Sequence, residues 1–245
     1  MGAIGIAVTM NSLTTPATDV AAPSPDPSVT EAAASPATSE TPPAPSAASA
    51  LPAAPVPAVS DAEIALAQLA SLQIVSGYSD IRYDRERFGQ PWTDVDRNGC
   101  DTRNDILGRD LLDPEFKAGT DNCKVLSGLL IDPYDGVHVD FVSGWDTSVL
   151  VQIDHVVALG WSWGHGAEYW TDDVRTQFAN DPSNLVAASE DTNQEKSAYG
   201  PSEWLPPVPD LRCGYVEQWV AVLDAYDLGI NPADRDAARA VLETC

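Results

Sequence analysis

Val149-Leu150-Val151-Gln152-Ile153-Asp154-His155-Val156-Val157-Ala158 is the stretch whose reading decides the fold. Residues 149–153 are rich in β-branched and apolar side chains, which predicts a short strand running directly into Asp154 and His155. Neighbours on a strand point to opposite faces, but where a strand ends a turn of the backbone lets both reach one place. Aspartate is a hard anionic ligand for magnesium or another divalent ion. Histidine, titrating near neutrality, takes a proton from water.

Downstream, Asn184 follows His155 by 29 residues, Asn193 follows nine later, and Lys196 three after that. Asp181-Pro182-Ser183 breaks the chain ahead of a short extended piece, Asn184–Ala187. Ser189 then opens a polar helix on which Asn193 and Lys196, three apart, share a face. Such a helix can turn the Asn193 carboxamide oxygen toward a metal and the Lys196 ammonium toward a phosphate. Hydrolysis of a phosphodiester needs a base for the attacking water and a cation for the charge that grows on phosphate and leaving oxygen.

Upstream, residues 123–131 and 137–143 read as strands joined by the turn sequence Asp132-Pro133-Tyr134-Asp135-Gly136, a hairpin. Ser60-Asp61-Ala62-Glu63 fits a capping box, and the apolar spacing after it predicts a helix over 61–75. Residues 78–92 read as loop with short turns. Residues 156–163 are apolar and Trp-rich, a helical turn or a buried loop. Thr171 caps a helix reaching about Asn180, residues 210–227 read as helix, and Asn231-Pro232 opens the last one. The mixture predicts an α+β domain.

A second cation motif stands at Asp94, Asp96 and Asn98, with Gly99 at the sixth position and Asp105 at the twelfth. That spacing is that of an EF-hand calcium loop with Asp where Glu is usual. A loop held by its own Asx hydrogen bonds is the competing reading. In a third, Arg103 and Arg109 turn toward the cleft and hold phosphate. His138 reads as surface and His165 as a loop residue. Trp161, Trp163, Trp170 and Trp204 read as core.

Composition divides the chain. Residues 1–60 hold 11 of the 20 prolines and no aromatic, lysine or arginine. Such a segment cannot bury enough apolar surface to offset its ordering entropy, so it reads as a disordered Pro/Ala-rich linker ahead of one domain over 61–245. The formal net charge is −24; four acids (Asp19, Asp26, Glu31, Glu40) and no base lie in 1–60, which leaves −20 on the domain. That charge speaks against an extended basic nucleic-acid footprint. The apolar run near Met1 is short and has no basic residue before it, a poor signal peptide or the remnant of one. No run suits a membrane span.

Cys100, Cys123, Cys213 and Cys245 form no CxxC pair, so a zinc knuckle is not expected. An even count predicts two disulfides and an oxidising, extracellular setting. Of the three pairings, Cys100–Cys123 with Cys213–Cys245 is favoured because each closes a local loop. Four buried thiols are the alternative.

Asp154-His155-Val156-Val157-Ala158-Leu159, Asp181-Pro182-Ser183-Asn184-Leu185-Val186 and Asn193-Gln194-Glu195-Lys196 together resemble the HNH (ββα-metal) endonucleases. The likeness is to a secreted branch related to the C-terminal domain of GmrSD-type restriction endonucleases. Tyr83-Asp84-Arg85, Phe88-Gly89, Trp92–Asp96 and Gly99–Asp105 share it, so it spans about residues 78–245. The resemblance implies a ββα-metal core with added helices and a hairpin. It implies Asp154 and Asn193 as ligands of Mg²⁺, Mn²⁺ or a similar ion; a second site, for Ca²⁺, rests on the spacing of the Asp94 loop and not on this resemblance. It makes His155 the general base and Asn184 the residue that braces the ββα loop, with Lys196 beside the phosphate. The substrate would be DNA, with RNA as a second candidate, cut to a 5′-phosphate and a 3′-hydroxyl. Neither a membrane nor an obligate protein partner is implied. Where relatives carry basic residues and a Lys-Gly-Asp run, this chain has Gln194-Glu195-Lys196-Ser197-Ala198, which removes positive charge from the phosphate side. Two other functions compete: a non-catalytic extracellular module that binds Ca²⁺ or a partner, and a toxin-like effector blocked by an immunity protein.

Overall fold

The structure, a computed structural model, describes residues 59–245. The linker expected over 1–60 therefore lies, apart from Val59 and Ser60, outside the described residues. Ser60 caps α1 (Asp61–Ser71) with both arms of the capping box: its Oγ accepts from Glu63 N and its own N–H donates to the Glu63 carboxylate. A 3₁₀ turn at Arg85–Phe88 interrupts the loop that follows.

Helix α2 (Thr102–Asp110) was not legible in the Asx-rich sequence. Asp101 caps it by accepting from Asn104 N, so the helix starts inside the Asx-rich stretch. After it, β1 (Leu112–Phe116), β2 (Val125–Ile131) and β3 (His138–Val142) form an antiparallel sheet in that order. Strand β1 also escaped the sequence reading, because Pro114 argues against a strand. It is an edge strand with irregular register, where proline is tolerated.

The second sheet has two strands, β4 (Val151–His155) and β5 (Leu185–Ser189), paired antiparallel with Ile153 opposite Ala187 and His155 opposite Leu185. The expected strand over 149–153 thus starts two residues later and carries Asp154 and His155 within it. Pairing to β5 holds the chain extended through His155. Between these strands run α3 (Leu159–Trp163) and α4 (Asp172–Ala179), the latter capped by Thr171 as expected. Helix α5 (Glu190–Lys196) follows β5 directly, with Ser189 as cap. Helices α6 (Arg212–Ala225) and α7 (Pro232–Leu242) complete an α+β fold.

The β4–β5 pair sits between two apolar clusters. Val151, Ile153, Leu185 and Ala187 belong to one, with α2 and the three-stranded sheet. Ala188, with Val156 and Val157 beyond the strand, belongs to the other, with α1, α3, α4, α6 and α7. Strand alternation divides the pair between them and fixes which side chains of β4 face which layer.

Both expected disulfides are present, Cys100–Cys123 and Cys213–Cys245, and no cysteine is free. The second ties the start of α6 to the end of the chain beyond α7. Replacing Cys213 and Cys245 together by serine is expected to cost about 3–4 kcal/mol through loop entropy. Reversible thermal unfolding with and without the bridge measures it, and equal midpoints would deny the bridge that role. Among the described residues no helix is long and apolar enough to cross a membrane.

Candidate functional site

The site is a strand–strand–helix unit, β4, β5 and α5, braced by neighbouring turns. Asn184 sits at its hinge, fully buried. Its Oδ1 accepts from Val157 N at 2.8 Å, its Nδ2 donates to Val157 O at 3.2 Å, and its carbonyl accepts from Val156 N at 2.8 Å. One carboxamide therefore clamps the segment that leaves β4 to the segment that enters β5.

Asp154 points toward α5, on the same face of β4 as Gln152. It is 5% exposed. Lys196 Nζ reaches its Oδ2 at 3.0 Å and its Oδ1 at 3.1 Å, and also donates to the His155 carbonyl at 2.8 Å. The Tyr134 hydroxyl donates to Asp154 Oδ2 at 2.6 Å. Lys196 is 0% exposed, so it is not a surface contact for phosphate, as expected from sequence, but half of a buried ion pair. The helical spacing was right about the face. It could not show that this face lies against an anion. Asn193 shares that seam: its Nδ2 donates to Gln152 Oε1 at 2.6 Å. Its Oδ1 is in no hydrogen bond among the described residues.

Tyr134 was missed because it lies in a turn sequence. The hairpin between β2 and β3 delivers it. In the same turn Asp132 accepts from Tyr134 N at 2.7 Å and, across the chain, from Ser189 N at 2.6 Å and Thr192 Oγ1 at 2.8 Å. A buried carboxylate thus docks the hairpin on the start of α5. Burial and the Asp154 charge beside it push the Tyr134 phenol well above its ordinary value, so it stays a hydrogen-bond donor.

His155 projects from the other face of β4 and is 8% exposed. Its Nε2 lies 2.9 Å from the Ala179 carbonyl at the end of α4. A carbonyl only accepts, so that nitrogen carries the proton and Nδ1 keeps a lone pair. Burial lowers the imidazole pKa to about 4; the Ala179 contact and the Asp154 charge oppose that, and Arg85 and Lys196 add to it. The ring is neutral at physiological pH.

His155 also lines a groove of about 830 Å³, walled by the Arg85–Trp92 segment and the end of α4. Phe88 anchors that segment among Trp163, Phe178 and Tyr83. The buried Arg175 guanidinium donates to the Arg87 carbonyl at 3.1 Å. Gly89 has φ of +80°, and a Cβ there would run into the Thr176 side chain, so glycine lets the wall approach α4.

The other expected site residues fall elsewhere. Arg103 donates to the Ser148 and Val151 carbonyls, and Arg109 to those of Pro182 and Leu185 and to Asp110. Both side chains tack α2 to the β4–β5 region through backbone carbonyls. The Asp94 loop does bring its residues together. Asn98 N donates to Asp94 and Asp96, and its Nδ2 donates to Asp96 and Asp105. The loop is held by its own Asx hydrogen bonds, and its last member, Asp105, lies in the first turn of α2. His138 is exposed, and His165 is buried, stacked on Trp161 with Nδ1 on the Trp161 carbonyl.

The donor set suits a hard divalent ion in kind: one carboxylate and one uncommitted carboxamide oxygen on a single seam. Among the described residues no cluster of three His, Cys, Asp or Glu side chains could hold a metal. Lys196 already neutralises Asp154, so an ion there shares the carboxylate with an ammonium.

These features define a disulfide-stapled α+β domain built on a β4–β5–α5 unit with an acid and an imidazole at the strand end. The chain belongs to the family of GmrSD restriction endonucleases, C-terminal domain, whose match covers residues 101–230. It is also similar to an uncharacterized secreted protein of Arthroderma benhamiae, 34% identical over 197 residues that make up 78% of this chain and 91% of that one. No solved structure matches.

Proposed function

We propose that this protein is an extracellular HNH-type endonuclease that hydrolyses phosphodiester bonds in DNA, with RNA as a second substrate class. The observation that carries the reading is His155: a neutral imidazole, its Nε2 tied to a backbone carbonyl, placed on the wall of a groove beside the strand–strand–helix unit. In this reading Nδ1 takes the proton of the attacking water. The Ala179 carbonyl fixes the tautomer and the ring, and stabilises the imidazolium as it forms. Asn184 holds the reversal that presents the ring. The family and the secreted relative support the nuclease class and the extracellular setting.

Asp154 and Asn193 are the residues that would hold Mg²⁺, Mn²⁺ or a similar ion. Bound there, such an ion would lie on the face of β4 opposite His155, so the charge stabilisation it would supply at phosphate and leaving oxygen requires the substrate to reach both groups around the strand end. The test is cleavage of a supercoiled plasmid with Mg²⁺ or Mn²⁺ by the wild type and by His155→Ala. Metal holding has its own readout. Calorimetry with Mn²⁺ alone is expected to show one site whose affinity falls about tenfold or more in Asn193→Ala. Equal affinity of the two proteins removes Asn193 from the ligand set.

A second reading, a non-catalytic binding module, is favoured by one observation: Asp154 is already bonded to Lys196 and Tyr134. It predicts no cleavage of plasmid or oligonucleotide in any of these metals.

A further inference from the structure

The groove beside His155 has a composition that phosphate chemistry alone does not call for. Trp92 lines it, half-buried, with a φ of 60° that a bulky residue adopts at a cost. Its carbonyl accepts from Thr102 N, so the start of α2 helps keep the indole in place. Arg85 lines the groove as well, exposed and in none of the salt bridges of the described residues. Glu86 on the same wall is its electrostatic opposite. Asn180, 1% exposed, stands beside the carbonyl that holds His155. Its Nδ2 donates to Thr176 O at 2.9 Å, and its Oδ1 is buried without a partner. A buried acceptor left unpaired is costly, and a ligand N–H relieves that cost.

We infer that this groove binds one unpaired nucleobase next to the phosphodiester under attack, and that the protein therefore acts on single-stranded nucleic acid. The inference rests on the nuclease reading for its second half. Trp92 packs on the cluster of α2 and the three-stranded sheet, and the part of it that lines the groove is where a base stacks, a contact worth about 5- to 100-fold in affinity. Arg85 takes a flanking phosphate, and Asn180 Oδ1 takes a base N–H. The volume, about 830 Å³, lies in the range of small-ligand sites. A base within a duplex reaches such a groove only after leaving its stack, at an energetic cost. The domain charge of −20 points the same way: without an extended basic surface, affinity comes from stacking at one place instead of from many backbone contacts.

Two measurements on the full chain test this. The first is fluorescence anisotropy of a labelled single-stranded DNA oligonucleotide, in chelator, with wild type, Trp92→Ala, Trp92→Phe and Arg85→Ala. The second is steady-state cleavage with Mn²⁺ of that oligonucleotide and of the same sequence as a blunt duplex. Trp92→Ala is expected to weaken binding about 5- to 100-fold and to raise KM with little change in kcat, and Trp92→Phe to recover most of it. Arg85→Ala, an exposed change that leaves the fold intact, is expected to reduce the slope of log affinity against log salt by about one. The single strand is expected to exceed the duplex in kcat/KM by about tenfold or more. Binding that ignores both Trp92 and Arg85, or a duplex cut as well as the single strand, overturns the inference while cleavage keeps the nuclease reading. Trp92-dependent binding with no cleavage overturns the nuclease reading and keeps the base-binding groove.

Discussion

His155→Ala is expected to slow phosphodiester cleavage by about 10²–10⁴-fold, the contribution of a positioned general base, with substrate binding changed far less. The expectation follows from a ring that is neutral, has one nitrogen fixed by Ala179, and lines the groove. The same residue leaves a mark on stability that needs no substrate. Folded, the imidazole titrates at about 4; unfolded, near the ordinary histidine value of 6.5. Between those values the unfolded chain binds a proton that the folded chain does not. Stability is therefore full above about pH 6.5 and declines as pH falls toward 4, by at most about 3 kcal/mol from this group. Thermal unfolding in chelator from pH 7.5 to 4 checks it: the wild type should lose more stability over that window than His155→Ala. Parallel curves would place the ring in a different environment, and unchanged cleavage would remove it from the chemistry.

Lys196→Met is expected to destabilise the domain by about 3–5 kcal/mol, because it leaves the Asp154 carboxylate buried with Tyr134 as its remaining side-chain donor. The midpoint of thermal unfolding should fall by roughly 6–20 °C in a domain of this size. Desolvating both charges offsets much of what they gain from each other. The double variant Asp154→Leu with Lys196→Met is therefore expected to recover most of the loss. A single variant that unfolds within 1 °C of the wild type would mean that Lys196 is not Asp154's counter-charge in solution. If the double variant falls further than the single one, packing and not charge sets the cost.

Much of the site could be read along the chain because each signal is local. An apolar run predicts β4, and Asp-Pro-Ser breaks the chain just ahead of Asn184. Ser189 caps α5, and the three-residue spacing puts Asn193 and Lys196 on one face. The failures share a cause. Arg103, Arg109 and Lys196 are cations whose roles depend on the acceptors opposite them, and no spacing in the sequence says that those are carbonyls and a buried carboxylate. Asp94, Asp96, Asn98 and Asp105 come together as their spacing predicts, but the sequence did not show that Asp101 caps α2 within that stretch. Tyr134, Asn180 and Trp92 carried no motif of their own, although Trp92 fell within a run that resembled the family.

The sequence by itself pointed to the α+β class and to the disulfide pairing that closes two local loops, and it set Asp154, His155, Asn184 and Asn193 in order as candidates, since these rest on short-range pattern and covalent chemistry. Tertiary structure alone decided that β4 stays paired and extended through His155, so that no turn of the backbone brings Asp154 and His155 to one face. Alternation along β4 sends the acid to the α5 seam, where Lys196 and Tyr134 meet it, and the imidazole to the groove behind Ala179. Which groups wait on each side depends on the packing of elements distant along the chain, and that is written in no local stretch of residues.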